Sequence, residues 1–587
     1  MSDCWNLDGL YQGFDDPEYE ADLEALEQVV RALKGFSQQI NEENPSHTLE
    51  EGIALLEKLM TLEEKLATYV VLRQSADSRD SQAASQLGRV LSIASEAAAP
   101  EAAFKDWASR LPDLFQRVHS SSSLKEYDFY FRDVAASGKY LLPGMGEEIL
   151  AKLQLSGGNA WADLQQYLTS TLQVTYRGEQ INLSQARNLA SDPDPLVRKD
   201  AYEAELAAYP KIRDAVAYAL NSIKLETLSE CQLRGYASPL DRSLKEAHMK
   251  QETLDAMLEA MEEYLPKFRQ YLHAKAKALG HEKGLPWFEL FAPMGRSSTK
   301  FTPQTAGDYL VKLFSGFDTE LADMIRTAFD RQWIDFWPRD GKSGGAFCAE
   351  VSALSESRIL TNFDGTFSSV VTLAHELGHA FHNQCIFPHR PLNHQYSMPL
   401  AETASTFNEC VVMASALREA ADDQERIALI EAQLQDATQI ICDIYSRYLF
   451  EAEVFQQRQQ AFLTADDLDG LMLKAQQHSY GDGLDYTHPH SSMWICKSHY
   501  YGPTFYNFPY AFGGLFARGL YARYEQEGEA FLPKYKKLLY TTTIASAEDT
   551  ALTAGIDLTD KDFWRGALQT IADQIDLLCQ LLTGGNQ

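Results

Sequence analysis

Apolar residues recur at helical spacing along most of this 587-residue chain, and that recurrence limits what it can fold into. Between Asp22 and Phe36, the residues Leu23, Leu26, Val29, Val30 and Leu33 fall on one face of a 3.6-residue helix. Leu55, Leu59, Leu62 and Leu66 continue the pattern between Leu49 and Arg73, and residues 190–233, 251–279, 424–462 and 562–582 repeat it. Strand signals are few. Residues 172–183 alternate around Arg177-Gly178 and read as a hairpin, and residues 344–352 and 359–362 are two further strand candidates. The expected fold class is therefore mainly α. The segment Ser191-Asp192-Pro193-Asp194-Pro195 reads as a turn followed by a helix start. It divides a helical N-terminal region with a small hairpin, residues 1–190, from a larger region, residues 191–587. No internal repeat and no low-complexity segment interrupts this pattern.

Composition narrows the partners. Lysine plus arginine number 52 against 83 aspartates and glutamates, a net charge of −31. That surface repels phosphate backbones and anionic lipid, so nucleic acid and membrane are not expected partners. The eight cysteines, Cys4, Cys231, Cys348, Cys385, Cys410, Cys442, Cys496 and Cys579, are scattered, with no C-x-x-C pair. They read as buried thiols in a reducing compartment rather than a disulfide framework or a cysteine zinc site. Met1-Ser2-Asp3-Cys4-Trp5 has neither a basic nor an apolar targeting region, and no apolar run approaches a membrane span. The expected location is cytoplasmic.

The chemistry concentrates at His375-Glu376-Leu377-Gly378-His379. On a helix, which Thr366 would cap, His375 and His379 lie one turn apart and can present two imidazoles to one metal ion. Glu376 projects about 100° around the axis, beside the metal, where a general base for water belongs. The surrounding Val370, Val371, Leu373, Ala374, Leu377, Ala380 and Phe381 are apolar. Two histidines and a glutamate buried among them need a partner, and a metal supplies one. A catalytic zinc keeps three protein ligands and an open position. His382 follows His379 too closely to complete a tetrahedron, so it reads as support around the ligands or as packing. The metzincin pattern would need Gly at 382 and His at 385, where this chain has His382 and Cys385. The third ligand is then a carboxylate from the helix predicted to follow Pro399. Glu402 is assigned as that ligand and Glu409 as an acceptor orienting a ligand imidazole, with the reverse assignment open. Water on such a zinc has its pKa lowered toward ~7, and Glu376 would take its proton as it attacks a carbonyl.

Two other segments bear on the site. Residues 499–510 are dense in tyrosine, and His499, Tyr506 and Tyr510 are candidate donors to an oxyanion or to substrate backbone. Gly344, Gly345 and Ala346 permit close backbone approach, and an edge strand there could pair with an extended peptide.

Together these residues resemble the oligoendopeptidase F family, the bacterial branch of the thimet-oligopeptidase-like zinc peptidases. The resemblance runs from Trp5-Asn-Leu-Asp-Gly-Leu-Tyr11 and Arg234-Gly-Tyr-Ala-Ser-Pro-Leu-Asp241 through the block 341–409. It ends with Phe505-Tyr-Asn-Phe-Pro-Tyr510 and a C-terminal helix from Phe563. It implies a two-lobed helical metallopeptidase with a deep substrate channel and a small β-sheet beside the zinc helix. It implies one zinc ion per chain held by His375, His379 and Glu402, with Glu376 as base, and oligopeptides as substrates. This favours Glu402 over Glu409. The chain departs from the thimet-type Gly-Tyr-x-x-x-Tyr-Tyr-x-Tyr stretch, because Ala511-Phe-Gly-Gly-Leu-Phe-Ala517 follows Tyr510. Which of His499, Tyr506 and Tyr510 replaces the later tyrosines stays open, as do the oligomeric state and the cleavage preference. Two rival functions remain: a terminus-specific peptidase of the dipeptidyl carboxypeptidase type, which needs a group that captures a chain end, and a non-catalytic peptide-binding protein.

Overall fold

A computed structural model describes residues 4–40, 43–143, 145–296 and 299–584. The reading of the N-terminus as lacking a targeting segment rests partly on residues 1–3, which lie outside the described residues. The chain is mainly α, as the periodicity predicts. Helices Pro17–Gln38, Pro45–Ala76, Gln251–Ala278 and Lys561–Gly584 cover the expected stretches. The stretch read as one helix at 190–233 is two, Pro195–Ala208 and Arg213–Arg234, because Tyr209-Pro210 interrupts it. Asp194 caps the first of these, accepting from Leu196 N. The hairpin pairs Gln173–Tyr176 with Glu179–Asn182, and both turn residues, Arg177 and Gly178, have positive φ. No helix among the described residues is long and apolar enough to cross a membrane.

The chain forms two compact units that interleave in sequence. One contains Met1–Leu141, Ser298–Ser415 and Arg523–Gly555; the other contains Leu142–Ser297, Ala416–Ala522 and Ile556–Gln587. They are therefore not the sequential pair 1–190 and 191–587. The reason is local packing: the hairpin lies on helix Pro195–Ala208, and helix Gly158–Thr171 lies on Arg213–Arg234. Residues 142–190 thus belong with the helices C-terminal to them.

In the first unit a three-stranded sheet orders Ile334–Asp335, Glu356–Leu360 and Phe347–Val351, with the last at one edge. One face of the edge strand, Phe347, Ala349 and Val351, packs on the core of helices Pro17–Gln38 and Pro45–Ala76. The sheet also packs against helix Phe367–Ile386, so a small sheet does stand beside the helix that carries the His-Glu-x-x-His motif. Gly344, Gly345 and Ala346 are not strand. They form a bend leading into it, because Gly345 takes φ +76°. Asn362 Nδ2 fixes that bend by donating to Ser343 O at 3.0 Å and Gly345 O at 2.8 Å. The buried Lys342 ammonium anchors its start on Asp335 Oδ1, Trp337 O and Thr361 O.

Candidate functional site

Helix Phe367–Ile386 starts where the sequence places it, with Thr366 Oγ1 accepting from Ser369 N at 3.3 Å. It is buried on several sides, and His375, Glu376 and His379 line a pocket. The two imidazoles, one turn apart, meet edge to face with centroids 4.9 Å apart. The following helix, Thr403–Glu419, brings the acids. Its approach depends on Gly378, inside the motif: a Cβ there would lie 2.6 Å from Ala404 O and 2.6 Å from Ser405 Cα. A side chain at 378 would collide with the start of the second helix, so the glycine permits the contact that brings Glu402 to the histidines.

Glu402 sits just before the second helix, its carbonyl accepting from Thr406 N at 3.1 Å. Its Oε2 lies 3.3 Å from His375 Nε2 and 3.3 Å from His379 Nε2. The three donor atoms lie within 4.8 Å of one another. Ligands about 2.0–2.1 Å from a tetrahedral zinc are separated by about 3.3 Å, so the spacing of Glu402 from each imidazole fits that ion. Glu409 is on the other side of His375, its Oε1 accepting from Nδ1 at 2.6 Å. Glu376 is 5% exposed.

The electrostatics call for a cation. Burial opposes charge on His375, but hydrogen bonds to Glu402 and Glu409 outweigh it and raise its pKa to about 10. Burial likewise pushes the Glu402 carboxyl up, yet the hydrogen bonds from His375 and His379 hold it well below the carboxylate range. Burial raises Glu376 above its ordinary value, with His375 and His379 opposing. Three carboxylates around two imidazoles need positive charge, which protonated rings or a metal ion can supply.

Other expected residues have separate places. His382 does not reach the donor trio. It is fully buried, bonds Thr542 Oγ1 through Nε2 at 2.8 Å and stacks on Tyr396, and burial lowers its pKa to about 3, so its ring is neutral. The pocket of about 380 Å³ before the motif is walled by Ala346, Phe347, Cys348 and Glu350 of the edge segment, with Asn383 and Tyr396 opposite. Glu350 is held by His394 at 2.9 Å.

His499, Tyr506 and Tyr510 lie in the second unit and form a cluster of their own, with ring centroids 5.4–5.6 Å apart. The loop that carries Tyr506 is tied to buried Glu451, which accepts from Phe505 N at 3.2 Å and Asn507 Nδ2 at 2.7 Å and pairs with Lys224 at 2.7 Å. Residues 511–520, which follow Tyr510 on helix Phe508–Glu527, are buried.

The residues sequence reasoning missed are Gly378 and Ser405. Ser405, fully buried, donates to Glu402 Oε2 at 2.7 Å. Its place three residues after Glu402 at a helix start was the available signal. The second unit also holds a grouping with metal-binding side chains, Glu205, His490 and Cys496. There Glu205 Oε1 accepts from His490 Nε2 at 3.1 Å, from Tyr209 OH at 2.5 Å and from Arg187 Nη1 at 2.7 Å, and Arg187 Nη1 lies 3.0 Å from Cys496 Sγ.

Known proteins are similar to the chain over nearly its whole length. A model of peptidase family M3 matches residues 311–570, and a model described as oligopeptidase F matches residues 98–173. The group B oligopeptidase PepB of Streptococcus agalactiae is 24% identical, over 99% of this chain and 97% of that protein. Oligopeptidase PepF of Bacillus subtilis is 21% identical, over 99% and 87%. Among solved structures, oligoendopeptidase-F from Enterococcus faecium superposes with a TM-score of 0.70 at 18% identity, covering 96% of this chain and 99% of that one. A peptidase crystal structure from Chlamydophila abortus reaches 0.87 at 21% identity, covering 99% and 98%.

Proposed function

Because this chain belongs to the oligoendopeptidase F family of M3 peptidases, we propose that it is a zinc-dependent endopeptidase hydrolysing internal bonds of short oligopeptides. The observation that carries this reading is the convergence of His375, His379 and Glu402, their donor atoms within 4.8 Å of one another, beside buried Glu376. His375, His379 and Glu402 hold one zinc ion. When bound, zinc supplies Lewis-acid polarisation of the scissile carbonyl and a lowered pKa for water. Glu376 takes the proton from the attacking water and passes it to the leaving amine nitrogen. Glu409 holds the His375 ring with Nε2 toward the ligand side, because its carboxylate occupies Nδ1. His382 supports the helix from behind.

The substrate main chain lies along the edge strand Phe347–Val351, whose outer edge pairs with no strand among the described residues, and Gly344, Gly345 and Ala346 keep its approach open. His499, Tyr506 and Tyr510 supply hydrogen-bond donors to substrate. The strongly acidic chain argues against nucleic acid and anionic membranes as partners. Eight free thiols support a reducing, cytoplasmic setting.

The test is cleavage of a quenched fluorescent peptide of about ten residues blocked at both ends, before chelation, after it, and after zinc is restored. Activity that leaves and returns with zinc is the expected result. Cleavage only of peptides with a free end would replace the reading with an exopeptidase. Glu376→Gln is expected to keep its zinc and to lose about 10²–10⁴ in kcat. Wild-type turnover in that variant would overturn the role of Glu376.

A further inference from the structure

The charges packed beside His499 decide which nitrogen of that ring carries its hydrogen. Before helix Ile444–Arg458 the chain passes through a π-helical turn at Gln439–Asp443. Such turns insert a residue into the helical register and recur at functional sites. Here the turn ends on Asp443, which is 2% exposed and lies one helical turn before Arg447. Arg447 donates to Asp443 Oδ2 through Nη2. Its other terminal nitrogen, Nη1, lies 3.3 Å from His499 Nδ1. A guanidinium has donors only. Nδ1 is therefore the acceptor in this contact and carries no hydrogen, which leaves the ring's hydrogen on Nε2.

We propose that Arg447, oriented by Asp443, is a positioning residue that holds His499 as the neutral Nε2–H tautomer, so that His499 meets substrate as a hydrogen-bond donor. The proposal rests on the peptidase reading for its purpose, but not for its geometry. The groups facing His499 agree with it. Lys497, on the same segment, is 3.6 Å from Asp443, so two cations surround one carboxylate. The rings of Tyr506 and Tyr510 flank the imidazole. Buried Tyr500 lies beside Arg447. Burial first, and then Arg447 and Lys497, lower the pKa of His499, with Asp443 opposing. A neutral ring of fixed tautomer cannot relay a proton through Nδ1. It can offer Nε2–H to a carbonyl or an oxyanion, unchanged across the neutral pH range.

The experiment is long-range ¹H–¹⁵N correlation on zinc-loaded enzyme labelled at histidine, with the His499 signals identified by their loss in His499→Asn. The expected spectrum has Nδ1 unprotonated and Nε2 protonated between about pH 6 and 8. Arg447→Met should give mixed tautomers and move the His499 titration upward. It should add an acidic limb to the kcat/KM profile and lower kcat/KM about 10–100-fold, with zinc content unchanged. Arg447→Lys, which keeps a donor and a charge, should recover part of the loss. A wild-type spectrum with the hydrogen on Nδ1, or a His499 titration identical in wild type and Arg447→Met, overturns the proposal. If Arg447→Met does not fold, the wild-type spectrum decides alone. If the enzyme cleaves no blocked peptide, the functional reading fails while the spectrum still tests the tautomer.

Discussion

Among the described residues two clusters gather three metal-ligand side chains each, one cluster in each unit, and they meet opposite fates. In the second unit the protein supplies its own cation. Arg187 Nη1 lies 2.7 Å from Glu205 and 3.0 Å from Cys496, which is where a metal ion would have to sit. Tyr209 and His490 complete the shell of Glu205 Oε1. In the first unit His375, His379 and Glu402 converge as closely, yet among the described residues no lysine or arginine pairs with Glu402, Glu376 or Glu409. The difference teaches that donor identity does not make a metal site. What makes one is a set of converging donors that the protein leaves without a resident positive charge.

Counting zinc is the most direct way to break this contrast. His379→Ala is expected to abolish both zinc binding and turnover, while Glu205→Gln keeps one zinc per chain. Elemental analysis of dialysed protein checks both. Two zinc ions in wild type, or zinc lost from Glu205→Gln, would erase the distinction. The next largest effect is on stability. Arg187→Met strands Glu205, which is 8% exposed at its side chain. A fully buried pair broken this way costs about 3–5 kcal/mol, and because the Arg187 side chain is 35% exposed, about 2 kcal/mol is the appropriate expectation. Denaturant melts measure it, and a neutral result would show that the guanidinium is incidental.

The same cluster has a pH signature. Burial pushes the Glu205 carboxyl up, but hydrogen bonding and charge from His490, Arg187 and Tyr209 outweigh burial and bring it down to about 2. Its folded pKa is thus below the unfolded value of about 4.3, so its contribution is complete above that pH and is lost as pH falls toward 2. The stability advantage of wild type over Glu205→Gln should therefore be flat above about pH 5 and shrink below it. An advantage that grows on acidification would contradict the pairing. The smallest effect sharpens the first-unit side of the contrast. Ser405→Ala removes one hydrogen bond to the Glu402 carboxylate and should weaken zinc affinity about tenfold. Competition against a chelator of known affinity reads this without reference to turnover.

Much of this was legible in the chain. The periodicity located the long helices, and Arg177-Gly178 located the hairpin, because both depend on local backbone preference. The helix split at Tyr209-Pro210 and the bend at Gly344–Ala346 were not seen. In the first case an apolar stripe continues across a proline. In the second a single positive φ removes three residues from a strand. The pair His375 and His379 with Glu376 was legible since one helical turn of spacing is itself a geometric statement. Glu402 and Glu409 were harder, because both lie on one helical stripe and either could face the histidines.

That choice belonged to tertiary structure. The motif by itself determined a helix, two imidazoles on one face and a carboxylate beside them, since these depend only on 3.6 residues per turn. The rest needed a second helix to arrive at a particular depth. Gly378 sets that depth by admitting the Ala404–Ser405 backbone, which leaves Glu402 on the Nε2 side and Glu409 on the Nδ1 side of His375. The same holds for Arg187 and Cys496, 309 residues apart, and for Arg447 and His499, 52 apart. A contact between distant segments is decided by how helices pack, and local preference carries no record of it.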